Sequence, residues 1–160
     1  MTPDRLIGCE DGLPWNVPKE YQDFLDKTRG QTILMGRKTY EIFGEDLNSQ
    51  HNFVVSRGGG EFDRATTVDS FEEALQKAKD TRCQVYVCGG ASIYEQALEV
   101  EEILRMDLSI IHIEAEGDSY FPEIDESKWE LTAREDRSDY EFMRYARIVK
   151  EAEATETGAA

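Results

Sequence analysis

The sequence has 160 residues, 39% of them hydrophobic, with 34 acidic against 18 basic side chains and a formal charge of -16. That length suits one domain able to bury a core, and the hydrophobic content argues against a disordered chain. The negative field repels nucleic-acid backbones and anionic membranes, so neither is expected as a partner, and an anionic cofactor requires a local basic cluster.

In chain order, residues 1 to 16 read as a loop punctuated by Gly8, Gly12 and Pro14. Pro18 opens a helix over 18 to 28 that puts Tyr21, Phe24, Leu25 and Thr28 on one face. Gln31 to Met35 is an apolar strand ending at Gly36, and Arg37 to Phe43 is a short helix stopped by Gly44. His51 to Ser56 is a strand, Gly58 to Gly60 a loop, and Ala65 to Val68 a weaker strand. Ser70 with Glu73 forms a capping box for a helix through Lys79. Gln84 to Cys88 is a strand, Gly89 and Gly90 follow, and a helix runs from Ala91 to Leu98. Ile103 to Ile113 reads as one long strand, and Trp129 to Glu135 with Glu141 to Val149 as an antiparallel pair. Residues 1–150 make one domain, and the acidic stretch 151–160 is expected to be disordered.

Strands alternating with helices imply an α/β fold, a mainly parallel central sheet flanked by helices with an antiparallel C-terminal edge. Ligands of such sheets bind beyond the carboxyl ends of the strands. Cys9, Cys83 and Cys88 are odd in number and lack zinc-site spacing, so they read as reduced thiols of a cytoplasmic protein. The N-terminus has no signal-peptide pattern, and no apolar run approaches the roughly 18 residues that span a bilayer.

Four segments carry potential chemistry. Gly36-Arg37-Lys38-Thr39 places two cations at a helix start after a strand, a combination that attracts phosphate or else is a solvated surface. Cys88-Gly89-Gly90 ends a strand before a helix, where two glycines admit a flat ligand or a diphosphate, or simply make a tight turn. Leu13-Pro14-Trp15-Asn16-Val17-Pro18 is a rigid aromatic lead into a helix whose first turn holds Glu20, a position that also suits the helix dipole. Glu116 to Pro122 is an acidic, turn-rich loop.

In this order and spacing the segments resemble dihydrofolate reductase, from Asp4 to about Lys150. The resemblance rests on Arg5-Leu6-Ile7-Gly8 with Leu13-Pro14-Trp15, on Met35 to Glu41, on Gly89-Gly90-Ala91-Ser92-Ile93-Tyr94, and on Gly117 to Pro122. It implies an oxidoreductase of tetrahydrofolate biosynthesis and one-carbon metabolism that reduces dihydrofolate with NADPH. Glu20 then falls where the family holds the pterin ring and supports its protonation. A carboxylate suits that role because it accepts two parallel bonds from an aminopyrimidine edge, and burial tunes its pKa toward the working range. Ser109 matches a hydroxyl that bonds this acid, Trp15 a group that reaches the ring through water, and Phe24 and Phe43 the apolar contacts of the substrate. For NADPH the resemblance implies Gly36, Arg37, Lys38 and Thr39 at the phosphates and Ser56 with Arg57 near the adenosine phosphate. It also implies Gly89, Gly90, Ala91, Ser92, Ile93 and Tyr94 along the diphosphate and nicotinamide, with a cis bond joining the glycines.

The sequence departs from the family pattern twice. The family places an apolar strand of about seven residues ahead of the position of Met1, and without it the sheet is expected to hold a slot with unpaired edges. In folate reducers the segment at 45 to 50 is proline-rich and ends in an arginine that clamps the substrate's glutamate, whereas Glu45, Asp46 and Gln50 stand here. Two other functions therefore stay open: a reductase of another pterin or pyrimidine, such as a riboflavin-pathway intermediate, and a non-catalytic NADPH-binding domain. The expected oligomeric state is a monomer or homodimer.

Overall fold

A computed structural model describes residues 1–9 and 12–150. The expected tail at 151–160 lies outside them. Among the described residues nine strands and four helices follow in the order β1 (Leu6–Gly8), α1 (Pro18–Thr28), β2 (Thr32–Gly36), α2 (Arg37–Phe43), β3 (His51–Val55), β4 (Thr66–Val68), α3 (Phe71–Asp80), β5 (Val85–Val87), α4 (Ala91–Leu98), β6 (Arg105–Ile110), β7 (Ser119–Tyr120), β8 (Trp129–Asp136) and β9 (Glu141–Arg147). A 3-10 turn over Gly44–Asp46 extends α2.

The central sheet is parallel, in the order β4-β3-β2-β5, and β6-β9-β8 form a separate antiparallel sheet. The α/β expectation with an antiparallel C-terminal edge therefore stands. Strand β2 explains why the parallel sheet is covered on both faces. Successive side chains point to opposite sides of a strand. Leu34 joins Phe53, Val68, Phe71, Ala74, Ala78, Ile93 and Ala97 on the side of α3 and α4. Ile33 and Met35 join Val54, Tyr40 and Leu47 on the other side, with Phe24 and Leu25 of α1 packed against them. The apolar face expected of α1 is thus the face it buries, and Thr28 at its end returns a hydroxyl bond to the Phe24 carbonyl.

The antiparallel sheet has its own core of Met106, Leu108, Ile110, Phe121 and Trp129, reached from α4 by Tyr94 and Leu98. Among the described residues β5 pairs only with β2 and β6 only with β9. The Met1 ammonium donates to the Ser109 carbonyl over 2.7 Å, and the Ile111 amide donates to the Met1 carbonyl over 2.8 Å. Met1 is therefore bridged in parallel fashion to the end of β6.

Several local expectations change. Residues 1 to 16 and 116 to 122 are not all loop, because β1 pairs with β7 in an antiparallel ribbon. The long strand at 103 to 113 is shortened to Arg105–Ile110. The Ser70 cap is present, with its hydroxyl accepting from the Glu73 amide at 3.1 Å. The reciprocal half of the capping box shifts by one residue, since the Glu73 carboxylate accepts from the Asp69 amide. No helix among the described residues is long and apolar enough to cross a membrane.

Candidate active site

The site has two halves, one beside the start of α1 and the end of α2, the other beside Gly36 at the end of β2. One is an aromatic-lined cavity of about 390 Å³ that includes Leu13, Trp15, Glu20, Tyr21, Phe43 and Asp46. The other is the turn where β5 meets α4. Proline at the first position of α1 starts the helix without losing an amide bond, and this sets Glu20 in its first turn. The rigid Pro14-Trp15-Asn16-Val17-Pro18 lead folds Trp15 and Val17 against Ile111, Tyr140 and Phe142.

Glu20 is half-buried, and burial pushes its carboxyl above the usual carboxylate range. The neighbouring Ser109 side chain, the Met1 ammonium and Lys27 pull it back down, while Asp23 adds to the rise. The Met1 ammonium is itself lowered by burial to about 6, against the attraction of Glu20. The acid, the β6 hydroxyl and the chain's first residue thus form one electrostatic group. Trp15 contributes a second unsatisfied element. Its indole N–H is buried and has no acceptor among the described residues. A buried donor without a partner costs free energy unless water or a ligand meets it, so this orphaned group fits a polar heterocycle in the cavity.

Phe43 reaches the cavity and tilts against Tyr21 with ring centroids 6.0 Å apart. Phe24 stacks on Tyr21 at 6.3 Å and packs on the Ile33–Met35 side of the sheet, so it supports the cavity from beneath rather than from its wall. Sequence reasoning missed Leu13, Ile42 and Asp46 as cavity-lining side chains and assigned Tyr21 only to the buried face of α1. Their signal was proximity alone: each is within a turn of a residue already singled out.

At the second half, the Gly89–Gly90 bond is cis, as expected. Gly89 has φ of +109°, a conformation that side chains avoid. A Cβ on Gly90 would lie 3.4 Å from the Thr39 hydroxyl, and one on Gly36 would lie 3.5 Å from Ile93. Backbone, Thr39 and the start of α4 therefore form a shallow cradle kept open by glycine. Thr39 faces this cradle, while Arg37 and Lys38 are exposed at the start of α2. Arg37 pairs with Glu41 at 2.9 Å and lies over the Phe62 ring. Arg57 is exposed after β3. Together these cations and free helix-start amides fit an anionic, phosphate-bearing cofactor in an otherwise acidic chain.

Three of the expected contacts are otherwise occupied. The Ser56 side chain is buried and its hydroxyl donates to the Gly59 carbonyl at 2.7 Å, so it shapes the turn that presents Arg57. Ile93 is buried in the core beside Leu34, and its side chain closes the cradle from below, 3.5 Å from where a Gly36 Cβ would lie. Tyr94 tilts against Phe121 at 4.9 Å with its hydroxyl close to Gly89, and burial raises that hydroxyl's pKa. Ala91 is half-buried and Ser92 is exposed at the first turn of α4. Gln50 immediately precedes β3, away from the cavity lining, and its side-chain oxygen accepts from the Cys83 thiol at 3.8 Å.

The chain is similar to known proteins along nearly its whole length. The family model for dihydrofolate reductase matches residues 1–151. A dihydrofolate reductase of Bacillus subtilis (strain 168) is 37% identical over 153 residues, spanning 91% of this chain and 89% of its own. Dihydrofolate reductase HdrB of Haloferax volcanii is 35% identical over 170 residues, spanning 99% of this chain and 85% of that one. The solved structure of a dihydrofolate reductase from Enterococcus faecalis, complexed with NADP(H) and RAB-propyl, superposes with a TM-score of 0.78 at 26% identity over 91% of both chains.

Proposed function

Because this chain belongs to the dihydrofolate reductase family and reduces dihydrofolate to tetrahydrofolate with NADPH, we propose that Glu20 is the group that grips the pterin ring and manages its proton. The observation that carries the assignment is a half-buried carboxyl, raised by its burial, in a cavity also lined by Trp15, whose buried indole N–H has no partner among the described residues. A carboxylate there accepts two parallel bonds from the aminopyrimidine edge, and a carboxyl with a raised pKa holds a proton nearer neutral pH than an ordinary one. Ser109 orients the acid from β6. Trp15 donates into the same cavity, directly or through water. Phe43 covers the ring edge, and Phe24 backs it from the helix.

NADPH supplies the hydride. Arg37, Lys38 and Thr39 would hold its phosphates at the start of α2, and Arg57, presented by the Ser56 turn, would meet the adenosine phosphate. Three cations within reach of one bound anion favour the extra phosphate of NADPH over NADH. Gly36, Gly89, Gly90 and the first turn of α4 would leave the space into which the flat ring and the diphosphate fit. The same proposal places the enzyme in the cytoplasm, where its three unpaired thiols stay reduced, as a monomer or homodimer.

The direct test is NADPH oxidation on addition of dihydrofolate. The proposal expects turnover by the wild type and a loss of roughly 100-fold or more in Glu20→Ala, the scale of a positioned acid-base group. A Glu20→Ala enzyme with wild-type kcat/KM would reject the assignment.

A further inference from the structure

The mouth of the substrate cavity carries a fixed negative charge that the chemistry inside does not use. Asp46, at the end of the 3-10 turn after α2, lines the cavity and is exposed. The Tyr21 hydroxyl donates to its carboxylate over 2.6 Å, which holds the charge toward the opening. Tyr21 is in turn held by its rings' contacts with Phe24 and Phe43, so the pair is anchored rather than loose. Glu20 also lines the cavity, and among the described residues no lysine or arginine does. Arg64, the cation nearest the turn, is turned beneath it, with its guanidinium donating to the carbonyls of Gly44, Glu45 and Leu47. Lys19 is paired to Asp23 on the neighbouring turn of α1.

A pterin bound with its ring against Glu20 would share the cavity with Tyr21 and Asp46, which also line it. We propose that the Tyr21–Asp46 pair is a specificity element that selects by tail charge, disfavouring dihydropterins with carboxylate tails relative to those with neutral or cationic ones. The inference rests on the reading of Glu20 as the ring-binding acid. Dihydrofolate itself bears two tail carboxylates, so its binding carries a repulsion that a tail-free dihydropterin escapes. Repulsion between exposed charges is screened by salt. High ionic strength therefore favours dihydrofolate selectively, and the acidic rim makes tail preference a function of salt.

The test compares kcat/KM for dihydrofolate and for 6-methyl-7,8-dihydropterin at saturating NADPH, in wild type and Asp46→Asn, at low and high KCl. The expected result is a ratio of dihydrofolate to tail-free kcat/KM that rises roughly two- to fivefold in Asp46→Asn, the range of an exposed charge pair. In wild type the same ratio rises with KCl, and most of that rise is lost in the variant. Tyr21→Phe, which frees the carboxylate without removing it, gives an intermediate ratio. A ratio unmoved by both Asp46→Asn and KCl, with both substrates turned over, overturns the specificity role while leaving the Glu20 assignment intact. Failure of the wild type to reduce either compound overturns the Glu20 reading, and the rim inference with it. The salt titration uses the unaltered chain, so the outcome does not depend on how the variants fold.

Discussion

The Gly36 amide donates to the Gly89 carbonyl over 2.8 Å, joining the end of β2 to the turn that precedes α4. The two segments proposed to cradle the cofactor are therefore not independent loops. A shift in one moves the other, and the space between them is set by backbone and by the Thr39 side chain.

That space is narrow enough to predict a binding variant. A methyl on Gly90 meets the Thr39 hydroxyl at 3.4 Å, at the near edge of ordinary contact, and occupies space the cradle otherwise leaves to a ligand. Gly90→Ala is expected to raise the Kd for NADPH about tenfold, or ~1.4 kcal/mol, as read by isothermal titration or quenching of tryptophan fluorescence. An unchanged Kd would mean that the cofactor does not use the cradle.

Cofactor selectivity gives a second prediction. Arg57 is exposed and free of any hydrogen bond or ion pair among the described residues, at the turn fixed by Ser56 and Gly59. Arg57→Ala should weaken NADPH several-fold more than NADH, because a charge-assisted hydrogen bond to phosphate is worth about 1.5–3 kcal/mol and NADH lacks that phosphate. Equal losses for both cofactors would argue that Arg57 does not meet the adenosine phosphate.

Glu20 predicts a trade between function and stability. Burial raises its folded-state carboxyl above the ordinary value, so the folded state binds its proton more tightly than the unfolded state does. The associated stability is present below the ordinary carboxyl pKa and is lost as pH rises through the raised one. Glu20→Gln removes this loss. Its Tm should exceed that of the wild type at pH 8, and the difference should close toward pH 4. A Gln variant less stable than wild type at pH 8 would contradict the cause assigned to the shift.

Asp107 behaves in the opposite sense. Burial raises its carboxyl, but bonds from Arg144 and Lys27 outweigh this and leave it below the usual range. Arg144 contacts it at 2.8 and 3.1 Å and Lys27 at 3.1 Å, tying β6 to β9 and to α1. The stability it contributes is present above the ordinary carboxylate pKa and lost as pH falls through the depressed value. Asp107→Ala should cost about 1–3 kcal/mol at pH 7, the unmet charges being partly exposed, with a smaller cost in strong acid. Urea melts at the two pH values check this.

The late loop gives a steric prediction. A Cβ at Gly117 would lie 2.4 Å from the Gly8 carbonyl oxygen and 2.8 Å from Leu6. Gly117→Ala must push apart the β1–β7 ribbon, at an expected cost of about 2–3 kcal/mol. A thermal melt within a degree of wild type would show that the ribbon yields freely.

Much of this architecture was legible because its boundaries are marked by local chemistry. Pro18 starts α1, Gly36 and Gly44 bracket α2, Ser70 caps α3, and Gly89-Gly90 precedes α4. What escaped is non-local. Strands β1 and β7 have three and two residues and exist only because they pair across more than a hundred positions, which no window of sequence reveals. The strand ending at Ile110 read too long because apolarity continues through Ile111 and Ile113, although Ile111 turns into the cluster with Tyr140 and Ile113 is exposed.

The site divides the same way. The phosphate-binding candidates were visible as cations and glycines beside helix starts. Glu20 was not visible locally, since a carboxylate in a first turn has a sufficient explanation in the helix dipole. Only the register of four distant segments singled it out, and the structure adds the physical cause, burial beside Ser109 and Trp15. The Tyr21–Asp46 pair could not be read at all, because the bond spans 25 positions and two elements.

The central claim is that the Glu20 carboxyl handles the proton of pterin reduction. The most direct measurement is the pH dependence of kcat/KM for dihydrofolate in wild type and Glu20→Gln across the acidic to alkaline range. The account predicts a wild-type rate that falls as pH rises through the raised pKa of that carboxyl, and a Gln rate lower by roughly 100-fold or more without that descending limb. A Gln variant with near wild-type rates and the same descending limb would contradict it.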